Sequence, residues 1–339
     1  MMRSFLFGMR KLCQRDDVRL GVFFTMGNIG RFIWSNGPLL CVLTVLLWSG
    51  HFIAGRIAGD QLDVRPFQLA FFRFFSATLI LSSFMAVTWF TGRRETIKND
   101  LRLIAKHWWK LAGLGILGHG IFVSLIYFSL YTGQVPTIAV LQATMPAVVI
   151  AAGFVLFRDR LSGQQALGTA VCFGGALLVI SADAPESLLG FNFTESVRWM
   201  ICAIVAYSVF TVLLRTRPAG LSNLGFLWIL VTASAVFIAP FFAVNVAQHG
   251  MAELGPRVIL AVLFITFGPG LMAAYFWNRG VELIGSNQAG VFINLMPVFA
   301  GTMAYFFLDE PIKWYHFAGL AIIVLGITLV TRKRNTASS

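Results

Sequence analysis

The chain says the same thing twice, about 151 residues apart. Ala139-Val-Leu-Gln-Ala-Thr-Met-Pro146 through Phe157-Arg-Asp159 returns as Val291-Phe-Ile-Asn-Leu-Met-Pro297 through Leu308-Asp-Glu310. The register holds behind each Pro, where Gly168 matches Gly319, Ala170 matches Ala321 and Gly175 matches Gly326. Near the front of each half, Trp48 and Arg56 reappear with unchanged spacing as Tyr207 and Arg215. Each copy reads as five hydrophobic spans. Five is odd, so the second copy enters a membrane from the opposite face. Inverted repeats with interrupted helices are the pattern of a secondary transporter.

The apolar content supports that reading. Residues are 58% apolar and 12% charged, with a mean hydropathy of +0.78. Apolar runs of about 18 residues or more read as membrane helices. Spans are expected at 38–58, 67–90, 109–131, 134–157, 164–181, 197–214, 223–244, 257–277, 286–308 and 314–331. The fold class is therefore an all-α integral membrane protein, with ten transmembrane helices as two inverted five-helix repeats. Residues 1–37 form a basic cytoplasmic extension, 38–182 the first repeat and 197–332 the second. Within the extension, the apolar stretch 20–34 is broken by Gly21, Gly27, Gly30 and Arg31 and is too short to span; it either lies on the inner leaflet or has no fixed structure.

The net charge of +12 is topology information. With the N-terminus inside, 20 of the 26 Lys and Arg fall in cytoplasmic segments. That bias places both termini in the cytoplasm of a bacterial inner membrane and argues against nucleic acid as a partner. Cys13, Cys41, Cys172 and Cys202 have no paired spacing and read as apolar fillers. No metal or cofactor is expected. No His/Cys/Asp/Glu cluster of the kind an enzyme needs appears, so the chain is not read as an enzyme.

Candidate site residues come from helix breaks and from polar groups at membrane depth. Pro146 and Pro297 fall near mid-span at matched positions, and Gly268-Pro269-Gly270 has Gly118-His119-Gly120 as its counterpart. Breaks of this kind are tolerated in lipid only where protein or water meets the freed backbone, so they outline a central cavity. Gln142 and Asn294 precede the two Met-Pro pairs and offer uncharged donors and acceptors. His51 and His119 are the intramembrane groups able to titrate near neutrality. Trp48, Tyr127, Tyr275 and Asn278 complete the candidate binding set, with interhelical packing as the alternative for each. Arg73, inside Ala70-Phe-Phe-Arg-Phe-Phe75, either attracts a carboxylate, gates the outer mouth or pairs with backbone carbonyls. Arg56 is explained by snorkelling to the interface. The glycines of spans five and ten read as close-packing contacts in a scaffold or dimer surface.

Trp48-Ser-Gly-His-Phe-Ile-Ala-Gly-Arg56, Leu69-Ala-Phe-Phe-Arg73, Tyr275-Phe-Trp-Asn-Arg279 and Asn294-Leu-Met-Pro-Val-Phe-Ala300 through Leu308-Asp-Glu310 together resemble EamA-type members of the drug/metabolite transporter superfamily. The resemblance covers residues 38–332. It implies ten helices in two inverted EamA repeats around a central cavity, and export or exchange of amino acids, their derivatives or other small metabolites. Two departures stand out: His51 where the family often has Asn, and Arg158-Asp159-Arg160 where Gly-Glu is common. The expected partners are a small-molecule substrate and the lipid bilayer, with the chain a monomer or homodimer. A flippase for a lipid-linked substrate and an uncoupled facilitator or importer are the competing readings.

Overall fold

The computed structural model describes residues 33–92, 94–159, 162–183, 193–285, 289 and 292–331. The 20–34 stretch, apart from its last two residues, lies outside this set, as do Cys13, the start of span nine and the basic C-terminal tail.

All described regular structure is helical. In chain order, α1 is Gly37–Asp60, α2 Pro66–Phe90, α3 Arg94–Gly115, α4 Phe122–Thr132, α5 Val135–Gln142, α6 Met145–Phe157 and α7 Gly163–Asp183. Then α8 is Glu195–Leu213, α9 Asn223–His249, α10 Pro256–Ile265, α11 Ala273–Ile284, α12 Met296–Leu308 and α13 Trp314–Thr331. Among the described residues, seven helical stretches are long and apolar enough to cross a membrane. The pair α5–α6, bent by 42°, qualifies as one broken span, while Ile293–Leu308 and Trp314–Leu329 are apolar but shorter.

Several expectations change. The helix that carries span three begins well before residue 109: it runs from Arg94 to Thr132, with non-helical backbone at His107. Its first part is amphipathic. Ile97, Asp100, Ile104 and Leu111 are buried on one face while the basic residues take the other. Pro146 and Pro297 do not kink a continuous helix. Each occupies the first turn of a new one, α6 and α12, where a missing N–H costs nothing. Thr144 Oγ1 donates to the Leu141 carbonyl at the end of α5, 2.7 Å away.

The glycine pairs sit in π-helical turns, Ile116–Ile121 and Thr266–Met272, where a helix carries one extra residue. Each bulge has a hydroxyl on an adjoining carbonyl. Ser234 Oγ of α9 donates to the Gly115 carbonyl (2.9 Å), and Thr44 Oγ1 of α1 to that of Ala273 (3.3 Å). Ser and Thr satisfy broken membrane helices in this way because lipid offers the backbone nothing.

Packing interleaves the halves. α1 lies against α11 and α12, and, with the halves exchanged, α8 lies against α4 and α6. α2 faces α9, and α7 faces α13. Close approach at the last pair depends on glycine. The Gly319 carbonyl lies 2.8 Å from where a Cβ on Gly175 would stand, and the Gly168 carbonyl 2.7 Å from one on Gly326. Gly168 and Gly175 of span five and Gly319 and Gly326 of span ten are thus used inside one chain.

Between α3 and the start of α9, Asp100 is fully buried and accepts from the Ser222 backbone N–H (2.9 Å) and hydroxyl (2.5 Å). Ser222 caps α9, so this carboxylate also sits at the positive end of a helix. Asp100→Ala leaves a buried cavity and takes away the acceptor of the half-buried Ser222 N–H, and is expected to cost about 2 kcal/mol. A melting curve in detergent checks this, and an unchanged midpoint contradicts it.

Candidate functional site

Three residues singled out separately in the sequence meet between α1, α2 and α4. Arg73 Nη1 lies 2.6 Å from His51 Nε2 and 3.1 Å from the Tyr127 hydroxyl, and that hydroxyl is 3.0 Å from the same His nitrogen. A guanidinium only donates, so His51 Nε2 acts as an acceptor and the imidazole is neutral. Gly55, one turn beyond His51, allows the approach: a Cβ there would already stand 3.3 Å from the Tyr127 ring. His51 and Tyr127 are buried. Arg73 has no acidic partner among the described residues.

A second group forms where the two broken helices touch. Gln142, ending α5, points its Nε2 at the Met296 sulfur, 3.6 Å away at the start of α12. Its buried Oε1 has no partner among the described residues. Ser49 of α1 donates to the Met296 carbonyl (3.2 Å). Asn294 lies in the short 3₁₀ turn Ile293–Leu295 just ahead of this contact.

Other predicted residues fall elsewhere. His119 packs between the edges of Phe74 and Phe210, at centroid distances of 6.5 and 5.5 Å, with Nδ1 unpartnered. Trp48 sits 5.4 Å from Trp277. Tyr275 stacks on Trp34 at 4.8 Å, and Asn278 is exposed, so neither joins the Arg73 group. Pro269 is buried within the second π-turn. Two grooves are evident at the periphery. One of about 360 Å³ is lined by Ser82, Trp89, Ile97 and Trp228, and one of about 250 Å³ by Phe67, Pro240, Val244 and Asn245. Neither is lined by a residue predicted for the site.

The bundle ends carry charge pairs that sequence reasoning missed. Arg56 does more than snorkel. Its Nε contacts Glu310 (3.2 Å) and Asp60 (3.0 Å), and its Nη1 donates to the carbonyls of Leu130 (2.8 Å) and Tyr131 (3.1 Å). The other Glu310 oxygen accepts from the Val135 N–H at 2.6 Å. At the opposite end, Arg215 makes a two-point contact with Asp159 (2.7 and 3.3 Å). The two acids are repeat counterparts in matched geometry. Each follows a left-handed residue, Arg158 (φ 52°) or Asp309 (φ 54°), and each N–H returns to the sixth residue before it, Gly153 or Ala304. Each pair joins one half of the chain to the other. The Arg279–Glu282 contact read from the sequence is present at 2.8 Å.

Burial pushes the Glu310 carboxyl above the usual carboxylate range, against the pull of the Val135 N–H and of Arg56, with Asp60 adding to the rise. Glu310 lies in the connection between α12 and α13. Opening this contact to water returns the carboxyl to ordinary behaviour, so closing it binds protons. Closure therefore strengthens as pH falls through the raised value, and the gain is complete below the ordinary 4.5. Spin labels at Gln61 and Lys313, in a background without native cysteines, should show a shorter mean distance at pH 5 than at pH 8. Glu310→Gln should remove the difference.

The EamA-like transporter family model matches residues 35–181 and again 195–332. The chain belongs to the EamA-like transporter family. Similar proteins include an uncharacterized transporter of Archaeoglobus fulgidus, 24% identical over 89% of this chain and 99% of its own. The probable terminal-alkyne amino-acid exporter of Streptantibioticus cattleyicolor is 22% identical over 90% and 95%. The probable amino-acid metabolite efflux pump of Escherichia coli is 22% identical over 85% and 92%. A solved crystal structure matches with a TM-score of 0.55 at 19% identity, over 87% of this chain and 96% of that one, which supports the fold. This is a multi-pass membrane protein of a transporter family.

Proposed function

We propose that the protein is a secondary transporter of a bacterial inner membrane that exports or exchanges small metabolites, amino acids or their derivatives first among them, by alternating access. A count of ten spans takes the seven long helical stretches with the bent α5–α6 pair and the shorter apolar helices α12 and α13, and these support it. They divide into repeats at 38–182 and 197–332, the second inverted, with both termini cytoplasmic. Substrate sits between the halves, near the Arg73 group and the Gln142–Met296 contact.

The observation that carries this reading is the crosswise pair of charge contacts. In an inverted repeat, Arg56 and Glu310 share the outer face while their counterparts Arg215 and Asp159 share the inner one. Each contact holds the halves together at a single face, so releasing one while keeping the other opens that side alone. Both are closed here, an occluded arrangement that matches the burial of His51 and Tyr127. The cargo class rests on the two relatives named for amino-acid export.

Counterflow tests the proposal. Proteoliposomes of the purified protein are preloaded with one unlabelled amino acid at a time and diluted into a trace of the labelled form. Transient saturable accumulation of at least one of them is expected. Folded protein that exchanges none, yet moves a labelled lipid-linked sugar between leaflets, would replace this reading with the flippase.

A further inference from the structure

We propose that Arg73 is the docking point for a carboxylate on the cargo, so that the carrier selects molecules bearing one. The inference rests on the transporter reading above and names the chemistry of its site.

A guanidinium has five N–H donors and a charge that persists at any physiological pH. Arg73 spends one nitrogen, Nη1, on His51 and Tyr127. Its Nε and Nη2 make no hydrogen bond among the described residues. The acids that could neutralise it are engaged elsewhere: Asp60 and Glu310 with Arg56, Asp159 with Arg215, Asp100 with Ser222. The charge sits seven residues inside the outer end of α2, partly exposed, against the buried His51 and Tyr127 and with the Phe74 ring 5.7 Å away. A permanent charge at that depth is costly unless something meets it.

The vacant donors define what can meet it. The Nε and Nη2 edge of a guanidinium presents two parallel N–H groups, which match the two oxygens of a carboxylate. Charge balance points the same way. His51 is neutral because it accepts from Arg73, so the group carries one positive charge. One carboxylate cancels that charge, whereas a phosphate dianion overshoots it. His51 and Tyr127 grip the third nitrogen and fix the plane of the fork, leaving the free edge aimed for cargo. They act as positioning residues.

Thermal stability of the full-length protein in detergent provides the test at neutral pH. The probes are L-leucine, L-phenylalanine and benzoate, each against its amide (L-leucinamide, L-phenylalaninamide, benzamide), with inorganic phosphate alongside. At least one acid should raise the melting temperature with saturation, and its amide should need about tenfold more or fail, as expected for loss of a charge-assisted pair. Arg73→Gln should erase the preference, and Arg73→Lys, which keeps the charge without the fork, should weaken acid binding about tenfold. The acid–amide comparison on unmodified protein stands if the Gln variant does not fold. Amides as effective as acids, stabilisation by phosphate alone, a preference that survives in Arg73→Lys and Arg73→Gln, or no response to any acid would each overturn the docking role. Exchange of a cargo without a carboxylate, unaffected in Arg73→Gln, would sink this inference and leave the transporter reading intact. Acid-dependent stabilisation without transport would do the reverse.

Discussion

Gly326→Leu is expected to lower the melting temperature by about 5–10 °C or to eliminate monodisperse protein altogether. A Cβ at this position would stand 2.6 Å from the Cys172 sulfur, 2.7 Å from the Cys172 nitrogen and 2.7 Å from the Gly168 carbonyl oxygen. Two of those three atoms are backbone, so no side-chain rotation relieves the clash. α13 must move away from α7, and the interlocked contacts at Gly175, Gly319 and Ile323 open with it. Overpacking costs about 1–3 kcal/mol where side chains can adjust, which lowers the melting temperature of a chain this long by only about 1–4 °C; the larger fall expected here reflects the greater cost where helices must part. Membrane helices associate through close packing rather than through expulsion of water, so lost contact is not recovered by burying leucine. Gly174→Leu is the control. It lies on α7, the partner helix, with nothing within 4 Å of a Cβ, and it should melt like the parent. Equal behaviour of the two variants would contradict the account of α7–α13.

Glu310→Ala should reduce exchange at least tenfold, and Asp159→Ala only a few-fold. The two acids are counterparts, but their surroundings differ. Glu310 and Arg56 side chains are 10% and 20% exposed, against 20% and 40% for Asp159 and Arg215. Glu310 also supplies the acceptor for the Val135 N–H, which alanine leaves buried and unpaired. Arg56 keeps Asp60 and two carbonyls, so the loss is smaller than for a fully buried pair, about 2 kcal/mol. That shifts the balance between open and closed outer faces by about thirtyfold. A half-exposed pair such as Asp159–Arg215 contributes about 1 kcal/mol or less. Because Glu310 and Arg56 share one contact, Arg56→Gln with Glu310→Ala should be little worse than Glu310→Ala alone. Proteoliposome exchange at matched protein content checks both statements, and a larger loss in Asp159→Ala than in Glu310→Ala would refute the ranking.

The duplication carried most of what was legible. Met145-Pro146 and Met296-Pro297 mark matched helix starts, and Gly118-His119-Gly120 with Gly268-Pro269-Gly270 mark matched π-turns. The early start of α3 was written in the sequence too: Arg94, Lys98, Arg102, Lys106 and Lys110 recur every fourth residue, one stripe of a helix, yet their charge resembles a loop. The meeting of Arg73, His51 and Tyr127 was not legible, because it depends on three helices converging at Gly55. The charge contacts lay half in view. Arg56 mirrors Arg215 and Asp159 mirrors Glu310, but each Arg pairs with the acid of the other half, and spacing along the chain does not say which helix ends meet.

The most direct test of alternating access is a pair of spin-label distances in a functional background without native cysteines. One pair, Gln61 with Lys313, reports the outer face; the other, Arg158 with Thr216, reports the inner face. With an exchanged amino acid present, the two distributions should each show a short and a long population, and Glu310→Ala should lengthen the outer distance while shortening the inner one. Distances that lengthen or shorten together, or an outer distance indifferent to Glu310→Ala, would contradict a carrier that opens one face at a time.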